Sequence, residues 1–290
     1  MSERLAVKKT YKLAIGGAFP RSESGRSYEV TDAKGRFLAN AAMASRKDVR
    51  DAVVAARKAY SGWSGATAYN RGQVLYRVAE MMEGRRTQFV DEVAAGEGMT
   101  RPQAERSVSE AIDRWVWYAG WADKIAQVNG SSNPVAGPYF DFSVPEATGV
   151  VAIVAPQASS LLGLVSALAP VVVSGNTAVV VASQLRPLPA VTLAEVLGTA
   201  DVPGGVVNVL TGTTGEIAPW LASHMDVNAI DLTGIAGDAD QALALEVQAA
   251  ENLKRVLRAP DAEPGWTAEP GPHRLTFFLE TKTVWHPVGI

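Results

Sequence analysis

The second half of the chain alternates between continuous apolar runs and longer helical patterns. Residues 149–156 (GVVAIVAP) and 177–183 (TAVVVAS) are β-branched runs typical of strands that are buried on both faces of a parallel sheet. Two more strand patterns follow at 204–212 and 227–234, and a helical pattern separates each run from the next. Consecutive strands with helical crossovers predict an α/β fold, a Rossmann-like parallel sheet flanked by helices.

The first half of the chain carries helical patterns and a few short strand patterns. Residues 11–20 and 25–35 combine strand-forming residues with Gly-bearing turns, which predicts a hairpin layer on the surface. Ser45 stands immediately before the first amphipathic pattern, where its hydroxyl can cap a helix. The apolar spacing predicts three helices, over residues 45–60, 70–95 and 102–125.

Two segments outside the sheet also have strand character. Residues 139–147 (YFDFSVPEA) alternate at the period of a half-buried strand, and we expect the polar face with Asp141 and Ser143 to point outward. The tail, residues 274–290, is strongly strand-forming. Between them, residues 259–272 are rich in Pro, Gly and acidic groups, which cannot sustain a helix or a central strand. We interpret that stretch as a linker.

The composition is that of a globular chain. Of its 290 residues, 47% are hydrophobic and 20% are charged, and the net charge is −3. Neither nucleic acid nor an anionic membrane surface is therefore an expected partner. The first residues lack the apolar core of a signal peptide, so we expect a cytoplasmic location.

The chain offers little reactive chemistry. It contains no cysteine, so neither a disulfide nor a thiolate nucleophile is available. The three histidines, His224, His273 and His286, are isolated and do not form a zinc-binding pattern. Ser159 and Ser160 begin a predicted helix, where hydroxyls ordinarily cap backbone N–H groups. No metal site is predicted.

Several motifs in a fixed order give the chain a family resemblance. The segments SGNTAVVVAS, VPGGVVNVLTG and DLTG follow one another, and together with the strand and helix patterns they resemble the NAD(P)-dependent aldehyde dehydrogenase superfamily. The resemblance implies a Rossmann-like cofactor-type domain over 1–137 and 148–258, and a small β oligomerisation arm over 138–147 and 274–290. Residues 259–273 then form a linker that replaces the catalytic domain, so the chain is interpreted as a truncated member.

The resemblance also identifies candidate cofactor-binding positions. Where family members carry Lys-Pro-Ser-Glu after the second strand, this chain has Val181, Ala182, Ser183 and Gln184. The family's pyrophosphate loop corresponds here to Thr233 and Gly234. Ser183, Gln184, Thr233 and Gly234 are thus the vestigial candidates for cofactor binding.

Acidic residues follow that loop. Asp238 and Asp240 stand in the first turn of the next predicted helix, where they satisfy the helix dipole and repel a diphosphate. We expect no cofactor, with weak NAD(P) binding as the alternative.

The family's catalytic groups have no counterparts in this sequence. The oxyanion-hole Asn of the family corresponds to Ala158, whose methyl group cannot donate a hydrogen bond. The general-base Glu corresponds to Ala259, and the domain that supplies the nucleophilic Cys is absent from the pattern. No catalytic residue is predicted.

The expected function is assembly. The sequence predicts a catalytically inactive aldehyde dehydrogenase-like subunit, a structural or regulatory partner of an active full-length paralogue or of a second copy of itself. In the family the arm pairs with a neighbouring subunit, and an open strand edge favours such pairing. The predicted interface comprises Phe140, Phe142, Phe277, Phe278, Leu279, Thr281, Thr283, Val284 and Trp285.

Two other functions remain open at this point. One is a genuine NAD(P)-dependent oxidoreductase that works without a thiol, and the other is an NAD(P)-binding module without catalysis. A tail that folds back on its own Rossmann domain is the alternative to the intermolecular arm.

Overall fold

A computed structural model describes residues 8–289. Its first part contains a small mixed sheet followed by five helices. The elements are β1 (Thr10–Tyr11), β2 (Ser27–Thr31), β3 (Phe37–Ala42), α1 (Arg46–Ser64), α2 (Ala68–Gly84), α3 (Arg86–Glu97), α4 (Arg101–Ala119) and α5 (Ile125–Asn129). Strand β3 lies between β1 and β2, antiparallel to β2 and parallel to β1. The hairpin therefore joins residues 27–31 to 37–42, and the pairing of 11–20 with 25–35 implied by the sequence is wrong, because β3 follows both segments.

The second part holds the parallel sheet and a second small sheet. Its elements are β4 (Ser131–Asn133), β5 (Tyr139–Ala147), β6 (Val150–Val154), α6 (Leu162–Val173), β7 (Thr177–Val181), α7 (Leu188–Thr199), β8 (Val207–Leu210), α8 (Thr214–Ala222), β9 (Ala229–Asp231), α9 (Ala239–Ala249), β10 (Arg255–Leu257), α10 (His273–Phe277) and β11 (Leu279–Pro287). None of the helices within 8–289 has both the length and the apolar character needed to cross a membrane.

The predicted parallel sheet is confirmed. Its five strands run in the order β10-β9-β6-β7-β8, and all four neighbouring pairs are parallel. Val151 and Ile153 of β6 pack with α2, α3, α4, α6 and α7, whereas Val150, Ala152 and Val154 pack with α1, α8 and α9. The β-branched runs thus form strands because apolar helices cover both faces of the sheet.

The three predicted helices are right in place and partly wrong in extent. Ser45 caps α1 by accepting hydrogen bonds from the N–H groups of Lys47 and Asp48 at 3.2 and 3.3 Å. The single helix predicted over 70–95 is wrong, because the chain breaks at Arg85 between α2 and α3. The helix predicted to reach residue 125 ends at Gly120, where a turn leads into α5.

The arm is a three-stranded antiparallel sheet in the order β11-β5-β4. Nine residue pairs join β11 to β5, from Leu279 opposite Ala147 to Pro287 opposite Tyr139. The tail therefore pairs with β5 of its own chain, the other segment of the predicted arm. Its strand begins later than predicted, because His273–Phe277 form helix α10 and Leu275 packs into the main core.

The outward polar face predicted for β5 is also wrong. Asp141 and Ser143 are 3% and 9% exposed, whereas Tyr139 and Phe140 are 45% and 51% exposed. The buried polar groups are compensated, because the side-chain amide of Asn133 on β4 donates to Asp141 Oδ1 at 2.9 Å and to Ser143 Oγ at 3.0 Å.

Candidate functional site

The carboxyl ends of the parallel strands form the first candidate site. In doubly wound sheets, ligands bind outside these strand ends, at the point where the strand order changes direction. Here β7 and β8 extend the sheet to one side of β6, and β9 and β10 extend it to the other. The crevice is therefore expected between the loop 155–161 after β6 and the loop 232–238 after β9.

Ser183 and Gln184 lie at this edge, just beyond β7, and both make internal hydrogen bonds. Ser183 Oγ donates to the Gln157 carbonyl at 3.0 Å, and the Gln184 N–H donates to Gln157 Oε1 at 2.9 Å. Gln184 Oε1 accepts from the backbone N–H of Thr214 at 3.2 Å, at the start of α8. These contacts join three loops of the domain, which is a structural role.

Thr233 is fully buried in an ionic cluster. Its hydroxyl donates to Asp231 Oδ1 at 2.5 Å, and its backbone N–H donates to the same atom at 2.8 Å. Arg274 completes the cluster, with Nη1 at 2.7 Å from Asp231 Oδ2 and Nη2 at 2.7 Å from Thr233 Oγ1. The Arg274 and Asp231 side chains are 11% and 0% exposed, so the hydroxyl of Thr233 faces its own chain.

Gly234 allows two backbone segments to approach each other closely. A Cβ at this position would lie 2.1 Å from the carbonyl oxygen of Ala155 and 2.6 Å from that of Val154. Since both neighbours are backbone atoms next to a buried strand, they cannot move aside at low cost. The glycine is thus explained by packing, without a ligand.

The two acidic residues predicted at the start of α9 are found there. Asp238 caps the helix by accepting from the N–H of Gln241 at 3.0 Å, and Asp240 lies in the first turn. A cavity of about 300 Å³ beside them is also lined by the carboxylates of Glu246 and Asp261. Arg258 neutralises Glu246 at 3.2 Å, and the remaining charge disfavours a diphosphate.

Ala158 lies at the head of the loop that leads into α6, and its backbone is already occupied. Its N–H donates to Glu263 Oε2 at 2.8 Å, and the N–H of Ser159 donates to Glu263 Oε1 at 2.9 Å. Ser159 Oγ in turn accepts from the N–H of Gly163 at 3.0 Å, in the first turn of α6. The prediction that Ser159 and Ser160 begin this helix is wrong, because α6 begins at Leu162 and its N-cap is Leu161.

A second carboxylate lies beside the first. Glu97 Oε1 accepts from the N–H of Ser160 at 2.8 Å and from its hydroxyl at 2.7 Å. Burial raises the pKa of Glu97, and the nearby Glu263 adds to that effect. A cavity of about 440 Å³ opens next to these groups, lined among others by Met99, Leu162 and Trp266.

At this edge, the candidate cofactor-binding residues make contacts within the chain. Ser183 Oγ, Gln184 Oε1 and Thr233 Oγ1 each form a hydrogen bond within the chain. Backbone atoms of Val154 and Ala155 lie close to Gly234. Val181 provides no polar group for a ribose hydroxyl. Among residues 8–289, no group of three or more histidine, aspartate and glutamate side chains is arranged to hold a metal ion.

Sequence reasoning missed the residues that fill this edge. Glu263, Trp266 and Arg274 come from the stretch interpreted as a linker and from the tail, yet all three contact the Rossmann domain. A tryptophan in an otherwise polar, Pro-rich stretch was the one available signal, since so large an apolar side chain is rarely left in solvent.

The arm is the second candidate site, and the structure divides the predicted interface into two groups. Phe278 and Leu279 are 0% and 9% exposed and belong to the main core, so including them in an interface was wrong. Phe277 packs partly against the same core. The other predicted residues lie on the arm: Phe140, Phe142, Thr281, Thr283, Val284 and Trp285.

The arm carries exposed aromatic rings. Trp285 is 59% exposed and meets Tyr139 edge-on, with ring centroids 5.7 Å apart. Phe140 and Phe142 stack at 5.4 Å on the other face of the sheet. Strand β11 lies at the sheet edge, and within 8–289 only β5 pairs with it. The arm thus combines an open strand edge with exposed aromatic surface.

Comparisons with known proteins agree with this fold. Residues 19–259 match the model of the aldehyde dehydrogenase family. The chain is 32% identical over 240 residues to the cytosolic 10-formyltetrahydrofolate dehydrogenase of Mus musculus, which covers 80% of this chain and 26% of that protein. It is 31% identical over 256 residues to the putative aldehyde dehydrogenase DhaS of Bacillus subtilis (strain 168), covering 86% of this chain and 50% of that protein.

Among solved structures, the NAD+ complex of an aldehyde dehydrogenase from Bacillus cereus superimposes with a TM-score of 0.81 at 26% identity. The match covers 86% of this chain and 50% of that one. The chain therefore spans about a quarter to a half of the length of these relatives. The family model, the relatives and the fold agree, and the chain belongs to the aldehyde dehydrogenase family.

Proposed function

We propose that this chain is a catalytically silent aldehyde dehydrogenase-like subunit that assembles through its β arm, either with a second copy or with a full-length aldehyde dehydrogenase. The proposal rests mainly on the open edge of β11. This nine-residue strand presents unpaired backbone donors and acceptors, and such an edge readily recruits another strand.

The exposed side chains of the arm support the same proposal. Trp285, Tyr139 and Phe140 are each more than 40% exposed, and Val288 beyond the strand is 50% exposed. Aromatic residues are enriched at the centres of protein interfaces because they bury a large area with few rotatable bonds. A strand from a partner would pair with β11 and cover part of this surface.

Catalytic silence is supported by the groups at the carboxyl edge. The position of the family's oxyanion donor is Ala158, and the position of its general base is Ala259, which is half-buried against the core. Without a cysteine, the chain also lacks the thiolate that the family uses. Each of these groups ordinarily contributes orders of magnitude to a reaction rate.

The alternatives that require NAD(P) receive less support. An oxidoreductase and a non-catalytic NAD(P)-binding module both need a free crevice at β6 and β9, where the chain's own Glu263, Arg274 and Asp231 now make contacts. We propose that no cofactor binds, and that the protein acts in the cytoplasm, as one of the relatives is named a cytosolic enzyme.

Mass measurement tests the proposed assembly. The chain is purified alone and also co-expressed with a full-length aldehyde dehydrogenase of the same organism, and both samples are analysed by size-exclusion chromatography with light scattering. The proposal predicts either a particle of twice 30.6 kDa or co-elution with the longer protein. A monomer at every concentration that also elutes apart from the longer protein would contradict it.

A further inference from the structure

The residues that follow β10 cross the crevice predicted from the sheet topology. We call residues 259–268 the strap. Near its start, the carbonyl of Pro260 accepts from the N–H of Gly237, in the loop after β9. Three residues later, Glu263 accepts from the N–H groups of Ala158 and Ser159, in the loop after β6. The strap therefore connects the two loops that bound the switch point between β6 and β9.

The Glu263 carboxylate makes the closest contacts of the strap. Each of its oxygens accepts one backbone N–H, at 2.8 and 2.9 Å, in the loop that leads into α6. Hydrogen bonds from backbone N–H groups to an ionised carboxylate are stronger than those between neutral groups. These two N–H groups would otherwise be free to receive an anionic ligand, so Glu263 takes the place of such a ligand.

Trp266 fixes the strap on the apolar part of the same loop. Its indole N–H donates to Glu263 Oε1 at 3.1 Å, which orients the carboxylate. The ring lies directly over Gly163 at the start of α6, where an added Cβ would approach the indole nitrogen to 2.9 Å. The absence of a side chain at Gly163 thus makes room for the tryptophan.

Arg114 holds the strap from the opposite side. Its guanidinium projects from α4 and donates through Nη2 to the carbonyls of Trp266 and Ala268, at 2.6 and 3.1 Å. Arg114 is 8% exposed, so both bonds are shielded from solvent. Contacts to α4, α6 and the loop after β9 show that the strap is a folded part of the domain and not a free tether.

We propose that the strap is a built-in occupant of the crevice, with Glu263 as its latch in the place of an anionic ligand. The carboxylate fills the backbone donors after β6, and the rest of the strap covers the switch point. Loss of the Glu263 carboxylate would leave these two N–H groups free for an external anion. This inference concerns the carboxyl edge alone and does not depend on assembly through the arm.

Hydrogen exchange at the two donor amides tests the latch. Glu263→Ala removes both acceptors, and we expect the amides of Ala158 and Ser159 to exchange at least about tenfold faster than in the unmodified chain. Glu263→Gln keeps one acceptor oxygen and is expected to give an intermediate rate. The measurement is hydrogen–deuterium exchange followed by mass spectrometry with fragmentation to single residues.

Glu269→Ala is the matched control, because Glu269 follows the strap and is exposed. The control is expected to leave both amides unchanged, and a change equal to that of Glu263→Ala would contradict the latch. Unchanged exchange in both Glu263 variants would overturn the proposal. Where Glu263→Ala does not fold, the comparison of Glu263→Gln with the unmodified chain decides the question.

Discussion

The two edges of this molecule differ in how their polar groups are satisfied. At the carboxyl edge of the parallel sheet, Glu263 and Arg274 bind backbone and side-chain groups that would otherwise be free to meet a ligand. At the outer edge of β11, no strand within 8–289 pairs with the backbone, and the ring of Trp285 is 59% exposed. Open strand edges pair readily with another strand, and exposed aromatic patches mark interaction sites. We therefore propose the open edge, and not the filled edge, as the place where a partner binds.

The filled edge is also the place where the strap crosses the ends of the parallel strands. Arg274 and Asp231 form a buried ion pair at this edge, with Arg274 Nη1 and Asp231 Oδ2 2.7 Å apart. Internal contacts thus satisfy the polar groups at the ends of the parallel strands, whereas no strand within 8–289 covers the outer edge of β11.

We expect the largest loss of stability from Gly234→Ala, which tests whether packing, and not a ligand, requires a glycine at this position. Gly234→Ala places a methyl carbon against two backbone carbonyl oxygens, and we expect a loss of at least about 4 kcal/mol of folding free energy. Gly198→Ala is the control, because Gly198 is exposed near the end of α7 with open space around it. It should be neutral or stabilise by up to about 1 kcal/mol. Urea denaturation measures both, and a Gly234→Ala variant as stable as the unmodified chain would contradict this packing.

The buried ion pair is expected to give the next largest effect. Arg274→Ala leaves the carboxylate of Asp231 buried without its cation, which costs about 3 kcal/mol. Arg258→Ala removes an exposed ion pair with Glu246 and should cost less than about 1 kcal/mol. Equal midpoints of urea denaturation for the two variants would show that the Arg274 guanidinium does not stabilise the buried carboxylate of Asp231.

The open edge is tested at the tryptophan on β11. Trp285→Glu introduces a charge into the proposed interface, and we expect the dissociation constant of the assembly to rise at least about tenfold. Val54→Glu introduces the same charge at an exposed apolar residue on α1, outside the arm, and should leave assembly unchanged. Sedimentation velocity over a range of concentrations measures both variants. If Trp285→Glu and Val54→Glu weakened assembly equally, the interface would not lie specifically at the arm.

We expect a smaller effect of pH on stability, through Lys254, which lies at neither of the two edges. Burial lowers the pKa of Lys254 to about 8, from an ordinary value of 10.5. The folded chain thus binds fewer protons than the unfolded chain above pH 8, and stability should rise with pH, by up to about 1 kcal/mol per unit. Lys254→Met should flatten the urea midpoint between pH 7 and 9.5. An equal rise in both proteins would contradict the shifted pKa.

Much of the fold follows from local pattern. The run Val150–Val154 predicts a buried strand because each of its residues is apolar, and Ser45 predicts a helix start because its hydroxyl has the right position to cap. Both signals depend on residues close together in the sequence. The alternation of strand and helix patterns predicts a parallel sheet, and the structure confirms it.

The missed features depend on contacts between distant residues. Glu263 meets Ala158 across 105 positions, and nothing in a Pro-rich, acidic stretch indicates that one carboxylate will bind two backbone N–H groups. The burial of Asp141 likewise depends on Asn133 in another strand, so alternation alone assigned the wrong face. The break at Arg85 lies inside a continuous apolar period, where packing of two helices overrides the pattern.

We propose that this member of the family keeps the scaffold without the chemistry. The decisive measurement is a steady-state assay of the purified chain, free of any longer aldehyde dehydrogenase, with NAD+ or NADP+ and propanal or benzaldehyde. We expect no increase in absorbance at the wavelength of the reduced nicotinamide above a blank without protein. Sustained reduction of either nucleotide, proportional to the amount of this chain, would contradict it.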